Sequence, residues 1–232
     1  MKGENKTSRI CSTRLKCERR VCGDKAIKVF AIAAAAALMA TPALAAVVSG
    51  NLTGGTAFMN GGTFQIIAPP AVVGQDNFNN NNVRAFNERQ GVTLLSALAV
   101  NSGPAIVAGR VVNSHAVNFD PAKGRSVRGT IVFNGPVLGL IWTRARLMAT
   151  NGLLGAPGTP YRTPGNVGFE TKTDSATFSG NTVSFNLTAS SPGDTFRVLT
   201  AVPGPDTWAM MLIGFGMISM ALRRRHEAAL AR

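Results

Sequence analysis

Two stretches decide the fold class: Ser126–Asn134, SVRGTIVFN, and Thr182–Ala189, TVSFNLTA. In the first, Val127, Gly129, Ile131 and Phe133 alternate with their neighbours, and in the second Val183, Phe185 and Leu187 do the same. A period of two puts one set of side chains on one face of a strand, so each stretch reads as a β-strand with a buried face and a wet face. Working outward, five more runs read as strands: Thr63–Ala68, Val92–Val100, Ala105–His115, Val137–Thr150 and Thr195–Ala201. Between them stand turn signals, Asn101-Ser102-Gly103-Pro104, Asp120-Pro121, Asn134-Gly135-Pro136 and Ser191-Pro192-Gly193-Asp194. Seven or more short strands divided by such turns predict an all-β domain, a β-sandwich or jelly roll, over residues 46–200. Helical periodicity there is weak, no repeat of fixed period is evident, and a single core fits the length.

The two ends differ from this middle. The chain of 232 residues carries 24 Lys+Arg against 11 Asp+Glu, a net charge of +13. Residues 1–45 hold nine of the cations against three acids, and residues 223–232 hold four against one. Most of the excess thus flanks two apolar runs, which is the pattern of membrane orientation, not of nucleic-acid binding. No nucleic-acid partner is expected. All three cysteines, Cys11, Cys17 and Cys22, precede residue 45, so the middle carries no disulfide framework.

At the N-terminal end, Lys28 is followed by VFAIAAAAALMA (Val29–Ala40), then Pro42 and the small-x-small site Ala43-Leu44-Ala45. A basic n-region, a short apolar run and an A-x-A site define a secretory signal peptide over 1–45, with cleavage after Ala45. The implied partners are the Sec translocon and signal peptidase.

At the C-terminal end, residues 201–232, Pro203-Gly204-Pro205 precedes Trp208-Ala209, an uncharged and mostly apolar run 208–222 containing Gly214-Phe215-Gly216, and the cluster Arg223-Arg224-Arg225. Trp at one interface and Arg at the other predict a transmembrane helix over 208–222 with its basic end in the cytoplasm. This order of elements resembles the PEP-CTERM sorting signal in its PEPxxWA form. The resemblance implies transient anchoring in the inner membrane, recognition by an exosortase-like transpeptidase, and release to the cell surface or beyond. It also implies association with exopolysaccharide or biofilm matrix. The family's central Glu is replaced here by Gly204. The middle is similar to ectodomains carried ahead of such tails in Asn87–Val92, Val112–His115, Phe119–Pro121, Gly135–Gly139 and Ser191–Asp194.

Few middle residues invite catalysis. His115 has Asp120 nearby in sequence but no G-x-S-x-G elbow, so it reads as a hydrogen-bonded structural residue. Zinc needs three or four N or S ligands, which one His without Cys does not supply. Asp76–Asn82, DNFNNNN, offers oxygens, but its spacing is not that of a calcium loop, and its side chains are expected to bond their own backbone. Glu170 and Asp174 do not stand out as a glycosidase pair. Among aromatics able to stack on sugars, Trp142 and Tyr161 are the ones expected at the surface. The resulting expectation is a non-enzymatic exported protein with no cofactor or metal. The alternatives are a secreted carbohydrate-active enzyme with the same tail, or a permanently anchored adhesin.

Overall fold

The computed structural model describes residues 45–162, 167–169, 174–202 and 214–216. In chain order the elements are β1 (Val47–Gly54), helix α1 (Thr56–Met59), β2 (Phe64–Ile66), β3 (Val83–Asn87), β4 (Val92–Thr93), β5 (Val111–Phe119), β6 (Arg125–Phe133), β7 (Val137–Ile141), helix α2 (Arg144–Leu154), β8 (Ser175–Ser179), β9 (Thr182–Ala189) and β10 (Asp194–Ala201). The domain is all-β. One sheet has four strands in the order β1-β6-β9-β8; the other has six, β2-β3-β5-β10-β7 with β4 also paired to β5. Every pairing is antiparallel except β2 with β3.

The alternating stretches behave as their period requires. Val127 pairs with Leu187, Gly129 with Phe185 and Ile131 with Val183, all on the inner face of the four-stranded sheet. From the facing sheet Val83, Ala85, Val117, Phe119, Phe196 and Val198 complete the same core. Gly129 is the slot for the Phe185 ring: a Cβ there would come within 2.8 Å of Phe185 Cζ and 2.4 Å of the Asn51 carbonyl. Gly55, at φ 96°, turns the chain from β1 into α1, and a Cβ there would meet the Ser126 carbonyl at 2.4 Å. Only glycine is at ease at such a φ.

The outward faces of the two sheets differ. That of the four-stranded sheet carries Asn51, Thr130, Ser184 and Thr177 in one row across the strands, half-buried or exposed. That of the six-stranded sheet lies beneath α2 and the loops. There Val112, Ile141 and Leu199 pack against Leu94, Ile106, Leu147 and Leu154, and Phe86 and Ala116 pack against Val73 and Tyr161.

Four expectations need correction. Val137–Thr150 is not one strand: β7 stops at Ile141 and α2 starts at Arg144. Of Val92–Val100 only Val92–Thr93 is strand, and Ala105–Arg110 precedes the strand that begins at Val111. That strand runs on to Phe119, so His115 lies in its middle. Trp142 and Tyr161 are half-buried; Trp142 stacks on Phe169 with ring centroids 5.2 Å apart. Strands β1, β3 and β8 have no counterpart among the expected strands. β1 contains Ser49, Gly50 and Asn51, β3 ends in Asn87, and β8 begins and ends in Ser, residues that ordinarily signal turns.

Candidate functional site

The densest polar chemistry lies under α2, on the outer face of the six-stranded sheet. Period two along β10 aims Phe196 and Val198 at the main core, and Arg197, between them, the opposite way. The Arg197 guanidinium is buried, with a fractional exposure of 2%. It donates from Nη2 to Glu88 Oε1 at 2.8 Å and from Nε to Glu88 Oε2. It also donates from Nη1 to Thr150 Oγ1 at 2.6 Å and from Nη2 to Asn151 Oδ1 at 3.1 Å, both on α2. Ser114 on β5 donates its hydroxyl to Glu88 Oε2 at 2.6 Å. The Tyr161 ring lies 5.6 Å from the guanidinium carbon.

One cation thus joins β10, the segment after β3, the helix and the 155–162 loop. A buried pair survives only when nearly all of its hydrogen-bonding capacity is used, and here both carboxylate oxygens and three guanidinium nitrogens are engaged. Burial works against the Arg197 charge, but Glu88 more than offsets it and raises the Arg197 pKa above its ordinary value. Burial first, and the Glu88 charge second, raise the Tyr161 hydroxyl well above its usual range. That hydroxyl accepts the Ala156 N–H at 2.8 Å. The cavity beside this cluster, lined among others by Glu88, Asn151, Tyr161, Thr195 and Arg197, has a volume of about 10 Å³. That is close to the room one water needs. The arrangement locks elements together. Glu88 has both oxygens committed to Arg197, which leaves it poorly placed to accept or deliver a catalytic proton.

His115 sits on the other face of the same sheet, fully buried. Its Nδ1 lies 2.8 Å from Asn87 Oδ1 and its Nε2 3.0 Å from Thr200 Oγ1. An amide oxygen at Nδ1 requires that nitrogen to carry the proton, so Nε2 accepts from the Thr200 hydroxyl. Burial lowers the His115 pKa to about 3, which keeps the ring neutral. Asp120 does not approach it in the hydrogen-bond network; its Oδ2 accepts the Phe78 N–H at 3.0 Å, and its carbonyl accepts the Asn80 N–H. Burial raises the Asp120 pKa despite those amides. The loop 76–82 is organised around this carboxyl. Asn80 donates to the Phe78 carbonyl and accepts from the Asn82 N–H, as Asx turns do. Among the described residues no group of three or more His, Cys, Asp or Glu is placed to hold a metal ion.

Of the residues assigned to export and sorting, Ala43, Pro203, Gly204, Pro205, Trp208, Ala209, Arg223, Arg224 and Arg225 lie outside the described residues. So does most of the 208–222 span. Gly214, Phe215 and Gly216 have helical backbone, with Phe215 exposed. No helix among the described residues is long and apolar enough to cross a membrane. Ala45 is buried beside Gly135, Ala46 donates its N–H to Asn134 Oδ1, and β1 starts at Val47.

Glu88 and Arg197 escape a reading of the sequence. Glu88 falls in a turn-like run, Asn87–Val92, and Arg197 interrupts an apolar strand, which by itself reads as an edge or surface position. The signal that could have found them is that interruption: an arginine between Phe196 and Val198 in a strand flanked by Thr on both sides. The chain matches no protein-family model, no curated protein and no solved structure.

Proposed function

We propose that the chain is an exported, non-enzymatic surface or extracellular-matrix protein, held transiently in the inner membrane and sorted by an exosortase-type transpeptidase. The mature part is a β-sandwich, starting at Ala46, that associates with exopolysaccharide or biofilm matrix. The observation that carries the reading is the order Pro-Gly-Pro, Trp208-Ala209, uncharged apolar run, Arg223–Arg225 after an all-β domain. The way β1 begins two residues after the Ala43-Leu44-Ala45 site supports it, since cleavage there leaves every strand among the described residues whole. The binding of Glu88 by Arg197 supports a structural domain over a hydrolase. The test is mass spectrometry of both termini of the protein isolated from its native host. A mature N-terminus at Ala46 and a C-terminus near residues 203–205 are expected; retention of both ends would overturn the proposal.

A second reading, a permanently anchored adhesin, is favoured by Gly204 in the place of the family's Glu. It predicts the same N-terminus with residues 206–232 retained. Changing Gly204→Glu would then start the cutting that the natural chain lacks.

A further inference from the structure

The β-sandwich begins and ends at one pole. A Cβ on Gly135, in the turn between β6 and β7, would stand 3.1 Å from Ala45 Cβ and 3.0 Å from the Ala201 carbonyl. The Ala46 carbonyl accepts the Asn134 N–H at 3.1 Å, and the Pro136 carbonyl accepts the Ala201 N–H at 2.8 Å. The loop 94–110 stands at the same pole. Ala201 pairs with Val112 on β5, Val92 and Thr93 pair with Val112 and Val111, and just beyond them Leu94 donates its N–H to the Arg110 carbonyl at 2.9 Å. The loop reads LLSALAVNSGPAIVAGR; Arg110 is its one charge, and no acid stands between Gln90 and Phe119. Leu94 and Ile106 are buried on the sheet, whereas Leu95 is 92% exposed and Val107 is 67% exposed. Beside Val107 an open groove of about 180 Å³ is lined by Ile106, Arg110 and Leu138 among others.

We propose that this pole rests on the lipid bilayer, with Leu95 and Val107 in the headgroup layer and the Arg110 guanidinium on lipid phosphate. No residue beyond Val202 belongs to the surface. Exposed apolar side chains beside a lone cation fit that layer: the hydrocarbon groups gain by leaving water, and a guanidinium holds phosphate by paired hydrogen bonds. The absence of acids matters as much, since a carboxylate there would be repelled by the phosphates. Position favours a bilayer over another partner. The chain leaves the domain at Val202, on this pole, six residues before the uncharged run 208–222. With that run in the membrane, at most about 22 Å of chain separates the pole from the bilayer. Tethering makes the contact intramolecular, so a few side chains suffice. The proposal rests on the reading of 208–222 as a membrane span, not on cutting at residues 203–205, and goes beyond it in fixing which end of the domain meets the lipid.

The test uses the full chain, with Cys11, Cys17 and Cys22 changed to Ser, reconstituted into vesicles of phosphatidylethanolamine and phosphatidylglycerol. A polarity-sensitive fluorophore is attached at Leu95→Cys, at Val107→Cys or, for comparison, at Met59→Cys, a 74% exposed apolar position on α1 at the opposite end of β1. On chains that float with the vesicles, the labels at 95 and 107 are expected to shift to the blue and to lose intensity to lipid spin-labelled near its headgroup. The label at 59 should do neither. Adding Leu95→Ser to the chain labelled at 107 should lower the docking equilibrium about tenfold, the worth of one large apolar side chain returned to water, and bring the quenching toward the level at 59. Arg110→Gln should lower it about two- to fivefold. Labels at 95 and 107 that stay wet on a floating chain, or that are quenched no more than the label at 59, overturn the proposal and leave the span reading standing. Blue-shifted labels that the lipid does not quench overturn it as well and assign the loop to a second copy. A chain that does not float sinks the span reading and the proposal together. Circular dichroism on each variant separates loss of docking from loss of fold.

Discussion

The outward faces of the two sheets show what burial does to a sequence. On the four-stranded sheet the outer row Asn51, Thr130, Ser184 and Thr177 meets water, so β6 and β9 alternate cleanly. On the six-stranded sheet α2 and the loops cover the outer face, and all eight residues of β10 are buried. A strand buried on both faces loses the period of two, because both sets of side chains must suit an interior. Polar groups caught on that covered face must then find partners, and Arg197, Glu88, Ser114 and Thr150 do. The same chemistry on the bare face needs none.

The comparison can be broken most severely at the covered face. Arg197→Met strands the Glu88 carboxylate away from water, and a loss of about 3–5 kcal/mol is expected, read from the urea unfolding midpoint. Arg197→Met with Glu88→Leu should recover much of it, because no buried charge is left over. Failure of the double change to recover would show that the hydrogen bonds to Thr150 and Asn151 matter more than the charges.

Next in size comes the shared interior. Gly129→Val drives methyls into the Phe185 ring and the Asn51 carbonyl, and about 1–3 kcal/mol of destabilisation is expected in the same measurement. His115 should give an effect that depends on pH. Its folded pKa of about 3 lies below the unfolded value of 6.5. The unfolded chain therefore binds the extra proton, and the stabilisation is complete above pH 6.5 and is lost as the pH falls toward 3. The slope is roughly 1.4 kcal/mol per pH unit inside that window. His115→Gln should flatten it; an unchanged slope between pH 6.5 and 4.5 would assign the acid sensitivity to another group. Smallest of all, Ser184→Lys on the bare face should shift stability by no more than about 0.5 kcal/mol.

The same contrast explains what could be read in advance. Thr182–Ala189 coincides with β9, and Ser126–Asn134 lies within a residue of β6, because one wet face preserves the alternation. The helix α2 was invisible. Its sequence RARLMATNGLL contains Asn151 and Gly152, both poor helix formers, has no acid in its first turn, and follows Thr143, whose side chain makes no cap hydrogen bond. What holds it is tertiary: Leu147 and Leu154 pack on the sheet, and Thr150 and Asn151 receive the Arg197 guanidinium. The locking cluster was hidden for a related reason. Glu88 and Arg197 stand 109 positions apart, and neither carries a local pattern that announces its partner. The Asn-rich loop was legible, since Asn side chains bond neighbouring backbone whatever the fold.

Amino-acid order alone therefore settled the all-β class and the two alternating strands. It also settled the division into basic, apolar ends and a cysteine-free middle, because each of these is a local property of neighbouring residues. The folded chain decided which sheet face is covered, where a helix forms against its own propensities, and which buried charges meet. Those outcomes depend on contacts between distant segments, and the free energy of removing side chains from water is assigned only when the segments come together.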